Sequence, residues 1–332
     1  MAVPTLSPRA YQRITLVAAW SLAAIIVTGA VVRLSGSGLG CPDWPTCSKN
    51  SVVAPLSWHP MVEFVNRVIT GLVSVAVILA VLGSLLRSPR RRDLIWLSLS
   101  LVAGVIAQIV LGGITVLTDL NPIAVQGHFV LSIAILTAAV VLHRRAGEEG
   151  PRRSTTSLIV RRLIWIVAGL TAVAIATGTV VTGTGPHGGD EEAHRFGFEI
   201  SAVARVHSVT VIVTIIATLL VAYCAQVRHR DWAAVRQPLT TFLWVAILQG
   251  VVGYTQYFND VPVGLVAVHI VGAVSVWVAV LQLLLATRAP RSLLDDGRTE
   301  GRRHVALLGV DHLHEDAVEA DRLLQIRQVL EP

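Results

Sequence analysis

The sequence has little charge: only 14% of its 332 residues are Asp, Glu, Lys or Arg, whereas 53% are hydrophobic. An ordinary soluble domain carries about 25% charged residues, so this chain has too few polar side chains to cover a globule in water. The composition therefore argues against a water-soluble enzyme. What the chain has instead is eight stretches without any charged side chain, at residues 14–32, 68–86, 94–118, 120–143, 163–189, 206–227, 237–259 and 261–287.

Each of these stretches is near or above the roughly 18 apolar residues that cross the hydrocarbon core of a bilayer. We therefore predict an all-α polytopic membrane protein with eight transmembrane helices. Arg9 and Arg13 precede the first stretch, as in a secretory signal peptide, but no cleavage site of small residues follows it. We expect this first segment to be a retained helix.

The formal net charge of +6 raises the question of a nucleic-acid partner. No aromatic residues interleave with the arginines as they do in single-strand binders, so we expect no nucleic acid. The cations instead alternate with the spans. If the amino terminus is inside, 22 of the 27 Lys and Arg lie in the inner segments 1–13, 87–93, 144–162, 228–236 and 288–332. This positive-inside pattern predicts a multi-pass protein of the lipid bilayer with both termini cytoplasmic.

A polar segment at 144–162 divides the eight spans into two groups of four. It separates a first half (1–143) from a second half (163–287), which a tail (288–332) follows. Because four spans return the chain to its starting side, two such halves have the same orientation in the membrane. In the tail, residues 317–330 have the pattern of a short amphipathic helix.

The two halves are similar in sequence. Residues 28–32 (TGAVV) resemble residues 177–181 (TGTVV), and three residues recur after a shift of 141 positions: Gln108, Gly112 and His128 become Gln249, Gly253 and His269. The same shift carries Asn66 onto His207. We predict two tandem four-helix bundles related by a pseudo-two-fold axis along the membrane normal.

Three histidines, His128, His207 and His269, lie near the predicted outer ends of their spans. Ionisable residues inside membrane spans are rare and usually functional. For any one of them alone, a hydrogen bond to a backbone carbonyl near the headgroups is the simpler interpretation. Their common depth and their relation to the repeat favour a ligand role.

Paired imidazoles on neighbouring helices suit the two axial positions of a heme better than a zinc or copper site, which usually adds carboxylates or thiolates. His207 and His269 form one such pair, whereas the matching pair is Asn66 and His128. An amide is a poor axial ligand, so a heme held by His128 alone would be open to oxygen or solvent. Simple divergence of Asn66 is the alternative.

Three charged residues, Glu63, Arg67 and Arg205, flank these candidate ligands in the sequence, and Arg33 follows the first charge-free stretch. Glu63 lies one helical turn before Asn66 and is either a solvated helix start or a proton donor, proton acceptor or stabiliser of positive charge beside a heme. The cations Arg67, Arg205 and Arg33 either neutralise heme propionates or extend to lipid phosphates.

The sequence contains only three cysteines. Cys41 and Cys47 lie in an outer loop that faces an oxidising compartment, and we predict a disulfide between them, which is either structural or redox-active. Cys224, inside an apolar span, is expected to be an inert thiol. The remaining outer histidines, His59, His187 and His194, are expected to be solvated loop residues. For His59, seven residues before Asn66, the alternative is that it replaces the missing imidazole.

These features together resemble the heme A synthases of the bacterial respiratory chain. The resemblance covers roughly residues 14–287 and rests on the eight-span duplication, the Cys41–Cys47 loop, the segment EFVNR at 63–67 and the placed histidines. It implies an oxidoreductase of the bacterial plasma membrane that converts a ring methyl of heme O into the formyl group of heme A, which cytochrome oxidase needs. Heme O would be delivered by a heme O synthase.

The resemblance also implies roles for individual residues. In that family the second-helix segment is Glu-x-x-His-Arg, so Glu63 matches the catalytic carboxylate, Arg67 matches the Arg, and Asn66 stands where the His belongs. His128 matches the other ligand of the substrate heme. The pair His207 and His269, with Arg205 beside it, matches the axial site of a resident heme b.

Three other classes remain open at this point. A diheme b-type electron-transfer protein explains the histidines but not Glu63. A membrane thiol oxidoreductase would use Cys41 and Cys47, but this sequence has no second cysteine pair of the kind that relays electrons in such enzymes. A transporter is less consistent with the sequence, because its spans have no Pro-broken helix pairs of the kind expected at a midplane site. The sequence also leaves open the electron donor and whether the protein is a homo-oligomer.

Overall fold

The computed structural model describes residues 5–49 and 51–290. The described chain contains eight long α-helices, all long and apolar enough to cross a membrane, which confirms the predicted eight spans. They are α1 (Pro8–Leu34), α2 (Trp58–Leu86), α3 (Arg92–Leu117), α4 (Pro122–Ala146), α5 (Leu158–Thr184), α6 (Ile200–Gln226), α7 (His229–Phe258) and α8 (Val263–Ala286).

The first and fourth helices begin with the same local device. Ser7 accepts a hydrogen bond from the Ala10 N–H at 3.2 Å, and the Asn121 side chain accepts one from the Ile123 N–H at 3.0 Å. Each cap is followed directly by a proline, whose fixed φ suits the first helical position and whose missing N–H costs nothing there. Both helix starts are thus determined locally.

The second helix begins ten residues before the charge-free stretch that predicted it. Its first three turns contain Glu63 and Arg67, which are four residues apart and form an ion pair at 2.5 Å. Residues at this spacing face each other on a helix, so the two charges compensate each other within the span. A search for charge-free stretches misses this part of the helix.

The turns α3–α4 and α7–α8 have the same backbone conformation. Asp119 and Leu120 have φ values of 51° and 56°, and the residues 141 positions later, Asp260 and Val261, have 58° and 56°. In both turns the second of these residues donates its N–H to the carbonyl five residues earlier, at 2.8 Å. Left-handed conformations are unusual for Leu and Val, so their recurrence supports local duplication of these hairpins. The two-fold relation of whole bundles stays a prediction.

Within each half, helices pack with their sequence neighbours: α1 contacts α2 and α4, α3 contacts α2 and α4, α5 contacts α6 and α8, and α7 contacts α6 and α8. The halves also contact each other through α1, α4, α5 and α8. For example, the Trp277 indole of α8 donates a hydrogen bond to the Thr137 hydroxyl of α4 at 2.8 Å. All eight helices therefore belong to one compact unit, formed by residues up to 148 and 155–287.

A second, small unit contains two short strands that the sequence did not predict. Strand β1 (Arg152–Ser154) pairs antiparallel with β2 (Arg288–Pro290), so that Arg153 is opposite Ala289. These strands fall in segments that were expected to be a linker and a tail, and three residues are too short for a recognisable alternation. The amphipathic helix expected at 317–330 lies outside the described residues, and the predicted domain boundaries stay predictions.

Candidate functional site

The structure brings two predicted ligands of the second half together. The rings of His207 (α6) and His269 (α8) have centres 6.5 Å apart and planes at 71°. Each ring lies against a glycine of a neighbouring helix: a Cβ on Gly178 would be 3.1 Å from His207 Cε1, and one on Gly253 would be 3.0 Å from His269 Cε1. A larger residue at either position would push an imidazole away.

This pair fits a heme iron held from two sides. Imidazoles that ligate one ion from opposite sides at about 2 Å, with about 1 Å from nitrogen to ring centre, have centres about 6 Å apart. In residues 5–49 and 51–290, no group of three or more His, Cys, Asp or Glu side chains is arranged to hold a metal ion. The donors present are two imidazoles, the set expected at a bis-histidine heme site.

The predicted spacing of twenty residues between Gln and His has a structural cause. The Gln108 amide of α3 donates a hydrogen bond to the His128 carbonyl of α4 at 3.0 Å, and Gln249 of α7 does the same to His269 of α8 at 2.8 Å. The His128 ring also lies against a glycine, because a Cβ on Gly112 would be 3.3 Å from its Cε1. Both hairpins thus hold a histidine in the same way.

The Nδ1 atoms of these two histidines are buried, and neither has a hydrogen-bond partner within the described chain. His207 differs, because its Nδ1 lies 3.1 Å from the hydroxyl of Thr177 on α5. Within the described chain, neither His128 nor His269 therefore bonds a backbone carbonyl through Nδ1. An imidazole whose Nδ1 has no protein partner is available for another role.

The first half lacks the imidazole at the position equivalent to His207. Asn66 stands there on α2, and its Oδ1 is buried without a partner among the described residues. On α1, Gly29 matches Gly178, but no heavy atom lies within 4 Å of a Cβ built on it. The space that the His207 ring fills in the second half is therefore open beside Gly29.

Glu63 is buried, with 6% of its surface exposed, so its interpretation as a solvated helix start is wrong. One carboxylate oxygen, Oε2, accepts the Cys41 N–H at 2.8 Å. The other, Oε1, accepts hydrogen bonds from Arg67 Nε at 3.1 Å and Nη2 at 2.5 Å. Both oxygens are held, which fixes the orientation of the carboxyl group.

Arg67 connects this carboxyl group to the disulfide loop. Its guanidinium donates hydrogen bonds of 3.1 to 3.3 Å to three loop carbonyls, those of Cys41, Asp43 and Thr46. The predicted Cys41–Cys47 disulfide is present, with 4.3 Å between the Cα atoms. The loop, Arg67 and Glu63 therefore form one hydrogen-bonded assembly, and a role of Arg67 toward heme propionates stays a prediction.

The other arginines make different contacts. Arg33, at the end of α1, donates hydrogen bonds to the carbonyls of His187 at 2.7 Å and Thr182 at 2.8 Å, so it joins the outer parts of the two halves. Arg205 is exposed and bonds to the Ser201 carbonyl of its own helix at 3.3 Å. Their roles toward heme also stay predictions.

The remaining predictions concern the outer histidines and the last cysteine, and His194 is exposed. His59 is exposed, and its Nδ1 is 3.0 Å from the Ser37 hydroxyl. His187 Nε2 is 2.8 Å from the Val261 carbonyl, so this loop is anchored to the α7–α8 turn. Cys224, expected to be buried, is a half-buried free thiol, and its inertness stays a prediction.

Sequence reasoning missed the glycines that support the histidine rings and the role of Trp44. The Trp44 ring lies over Arg67, with 5.2 Å between the ring centre and Cζ, and packs against Gly113 of α3. The signal was available, because Gly112 and Gly253 lie four residues after the repeated Gln in each half, whereas Gly113 is matched by Tyr254.

Comparison with known proteins adds a family. Residues 12–187 match the family COX15-CtaA, described as "Cytochrome oxidase assembly protein". The matched range includes the disulfide loop, Glu63, Asn66, Arg67 and His128, and it ends before His207 and His269.

The chain is also similar to several proteins named heme A synthase. It is 29% identical to that of Shouchella clausii over 180 residues, which cover 52% of this chain and 59% of the relative. Identity is 24% over 165 residues with that of Lysinibacillus sphaericus (48% and 54%) and 23% over 171 residues with that of Exiguobacterium sibiricum (50% and 57%). The chain thus matches between half and three fifths of the length of these relatives.

Proposed function

Because the chain belongs to the cytochrome oxidase assembly protein family COX15-CtaA, we propose that it is a membrane oxidoreductase that makes heme A. The substrate is heme O, and the reaction converts one ring methyl into a formyl group for cytochrome oxidase assembly. The observation that carries the proposal is the asymmetry between the two halves. In the second half the imidazoles of His207 and His269 face each other, whereas in the first half Asn66, with a buried and unpartnered Oδ1, stands at the position equivalent to His207.

In the second half, His207 and His269 would hold the iron of a resident heme b, and Arg205 would pair with its propionates. When bound, such a heme would supply electron transfer. Gly178 and Gly253 allow the two rings to approach each other, and second-shell groups of this kind orient the ligands.

In the first half, His128 ligates the iron of heme O. Asn66 offers an amide where the second half offers an imidazole, so one face of the substrate is left without a strong protein ligand. Two successive two-electron oxidations, by dioxygen or by an electron acceptor with water as the oxygen source, would convert the ring methyl into a hydrate, which loses one water to leave the aldehyde. The substrate is therefore held firmly by one residue and stays reactive.

Glu63 is the catalytic carboxyl group of this pocket, and it either moves a proton or stabilises the positive charge that develops at the methyl carbon. Its two oxygens are held by Cys41 and Arg67, so the group is already oriented before the substrate binds. Preorganised charge of this kind is worth more in a site that excludes water. Arg67 therefore supports the reaction by positioning Glu63.

We place the protein in the bacterial plasma membrane with both termini cytoplasmic, supported by the 22 of 27 cations on the inner side. A heme O synthase is the partner that delivers the substrate. The electron donor and a homo-oligomeric state are left open.

The test is to purify the full-length protein from cells that also make heme O, extract its pigments and separate them. Heme B together with heme O or heme A is the expected result. Glu63→Ala should keep both hemes and stop the formation of heme A, whereas Glu192→Ala, in an exposed outer loop, should leave the product unchanged. Normal heme A formation by Glu63→Ala would refute the role of this residue.

A diheme b-type electron-transfer protein is the second candidate, because the facing imidazoles of His207 and His269 suit a cytochrome equally well. The same extraction separates the two functions. Heme B alone, with reversible reduction of two tightly held hemes and no new porphyrin, would favour the cytochrome.

A further inference from the structure

The two halves differ at the interface between their second and third helices, which we call the seam: α2–α3 in the first half and α6–α7 in the second. In the second half, the Ser208 hydroxyl of α6 and the Tyr254 hydroxyl of α7 share a hydrogen bond of 2.6 Å, which closes the seam directly. The shift of 141 residues carries Arg67 onto Ser208 and Gly113 onto Tyr254. The first half therefore has neither hydroxyl at the equivalent place.

In the first half, Trp44 fills the seam from outside. A Cβ on Gly113 of α3 would lie 2.5 Å from Trp44 Nε1 and 2.6 Å from Cδ1, so the indole occupies the place of a side chain on that helix. On the other side, the Arg67 guanidinium of α2 lies 5.2 Å from the indole centre, at the distance of a cation–π contact. Trp44 is thus held between α2 and α3.

The seam lies next to the part of α3 that contacts His128. Gly113 packs against Trp44, and a Cβ on Gly112, the residue before it, would be 3.3 Å from His128 Cε1. Consecutive residues of α3 thus contact the indole and the predicted iron ligand of the first half.

The two closures differ in how they are attached. Tyr254 and Ser208 belong to the helices themselves, so parting them requires movement of α6 or α7. Trp44 belongs to a loop closed by the Cys41–Cys47 disulfide, and three hydrogen bonds from Arg67 fasten that loop to α2. Loops move more readily than packed helices, so the first seam is the one that opens with little disturbance of the bundle.

We propose that Trp44 is the gate of the first pocket: substrate heme enters, and product heme leaves, between α2 and α3 when the indole moves away from Gly113. This inference rests on the proposed function and deepens it, because it explains how one heme is exchanged while the other stays. Trp44 then controls the exchange step, and Arg67 is the group that holds the indole in the closed position.

The experiment measures heme transfer from the purified full-length holoprotein to excess apomyoglobin, followed by absorbance. Two phases are expected, and His128→Ala identifies the first-pocket phase because it lacks that phase. Trp44→Ala removes the gate, and Gly113→Ala displaces it, because the added Cβ overlaps the indole. Gly71→Ala, on α2, is the matched control, since no atom lies within 4 Å of the added Cβ.

Trp44→Ala and Gly113→Ala should speed the first-pocket phase by about threefold to tenfold, the change expected from losing one aromatic contact. The second-pocket phase should be unchanged, as should both phases in Gly71→Ala. Tyr254→Phe, which removes the hydroxyl that Ser208 shares, should speed only the second-pocket phase.

An unchanged first phase in Trp44→Ala would overturn the gate, and so would acceleration of both phases by the same factor. An unchanged second phase in Tyr254→Phe would remove the contrast between the seams on which the inference rests. A wild-type protein that carries no heme in the His128 pocket would instead refute the proposed function itself.

Discussion

Replacement of Gly178 by Ala tests whether the paired imidazoles hold a heme. The added Cβ would lie 3.1 Å from His207 Cε1, whereas ordinary contacts at a Cβ begin at 3.4 Å, so the ring must move by a few tenths of an ångström. Metal–ligand bonds in proteins keep their lengths within about 0.2 Å. The required displacement is larger than this tolerance, so an iron bond to His207 would be strained.

The first half provides a matched control. Gly29→Ala makes the same change at the equivalent position, but no atom lies within 4 Å of the added Cβ. Alanine is the better helix former, by about 1 kcal/mol, so both substitutions favour the helix itself. A loss of heme seen only with Gly178→Ala would then result from displacement of the His207 ring and not from a change in helix stability.

The assay is the absorbance spectrum of each purified protein, with heme content determined after extraction. Gly178→Ala should lose the low-spin signal of the second-half heme or most of that heme, whereas Gly29→Ala should keep it. Gly253→Ala, whose Cβ would be 3.0 Å from His269 Cε1, should behave as Gly178→Ala does. A full, low-spin complement of heme b in Gly178→Ala would refute the ligand assignment.

Three further predictions follow from other parts of the structure. Asn66→His places an imidazole where the second half has His207, so the first-half heme should gain a low-spin spectrum and lose binding of carbon monoxide; a spectrum unchanged from wild type would contradict the equivalence. Arg67→Ala leaves buried Glu63 unpaired and should lower the free energy of unfolding by about 3 kcal/mol. The midpoint of thermal unfolding is measured by labelling the free thiol of Cys224 on heating, with Arg230→Ala, at an exposed position, as the control variant. Equal midpoints for Arg67→Ala and Arg230→Ala would count against this prediction. Lys49 is the single lysine of the chain and is exposed after the disulfide loop, so a membrane-impermeant amine reagent should label it in intact cells, and label on Lys49 only after lysis would reverse the proposed orientation.

The number of membrane spans was predictable because it depends on a property of single segments. A helix in lipid satisfies its own backbone hydrogen bonds, so apolar length alone predicts that it spans. The charge-free stretch begins ten residues after the start of α2 for the complementary reason: Glu63 and Arg67 are tolerated in a span as a pair, and a count of charges does not register pairing.

The histidines were predictable as candidates but not as partners. Their depth and the shift of 141 residues are visible in the sequence, and the Gln–His spacing turned out to be a hydrogen bond between adjacent helices. The ligand roles, the two-fold relation of the bundles and the heme assignments stay predictions.

The sequence by itself determined the eight apolar helices, the local duplication of the hairpins and the short disulfide loop, because each depends on residues close together in the chain. Only the tertiary structure decided that His207 and His269 face each other, that Glu63 is held by the disulfide loop, and that Trp44 lies against Gly113. These contacts join residues on different helices and loops, and their distances are set by how whole elements pack, which no local pattern of residues encodes.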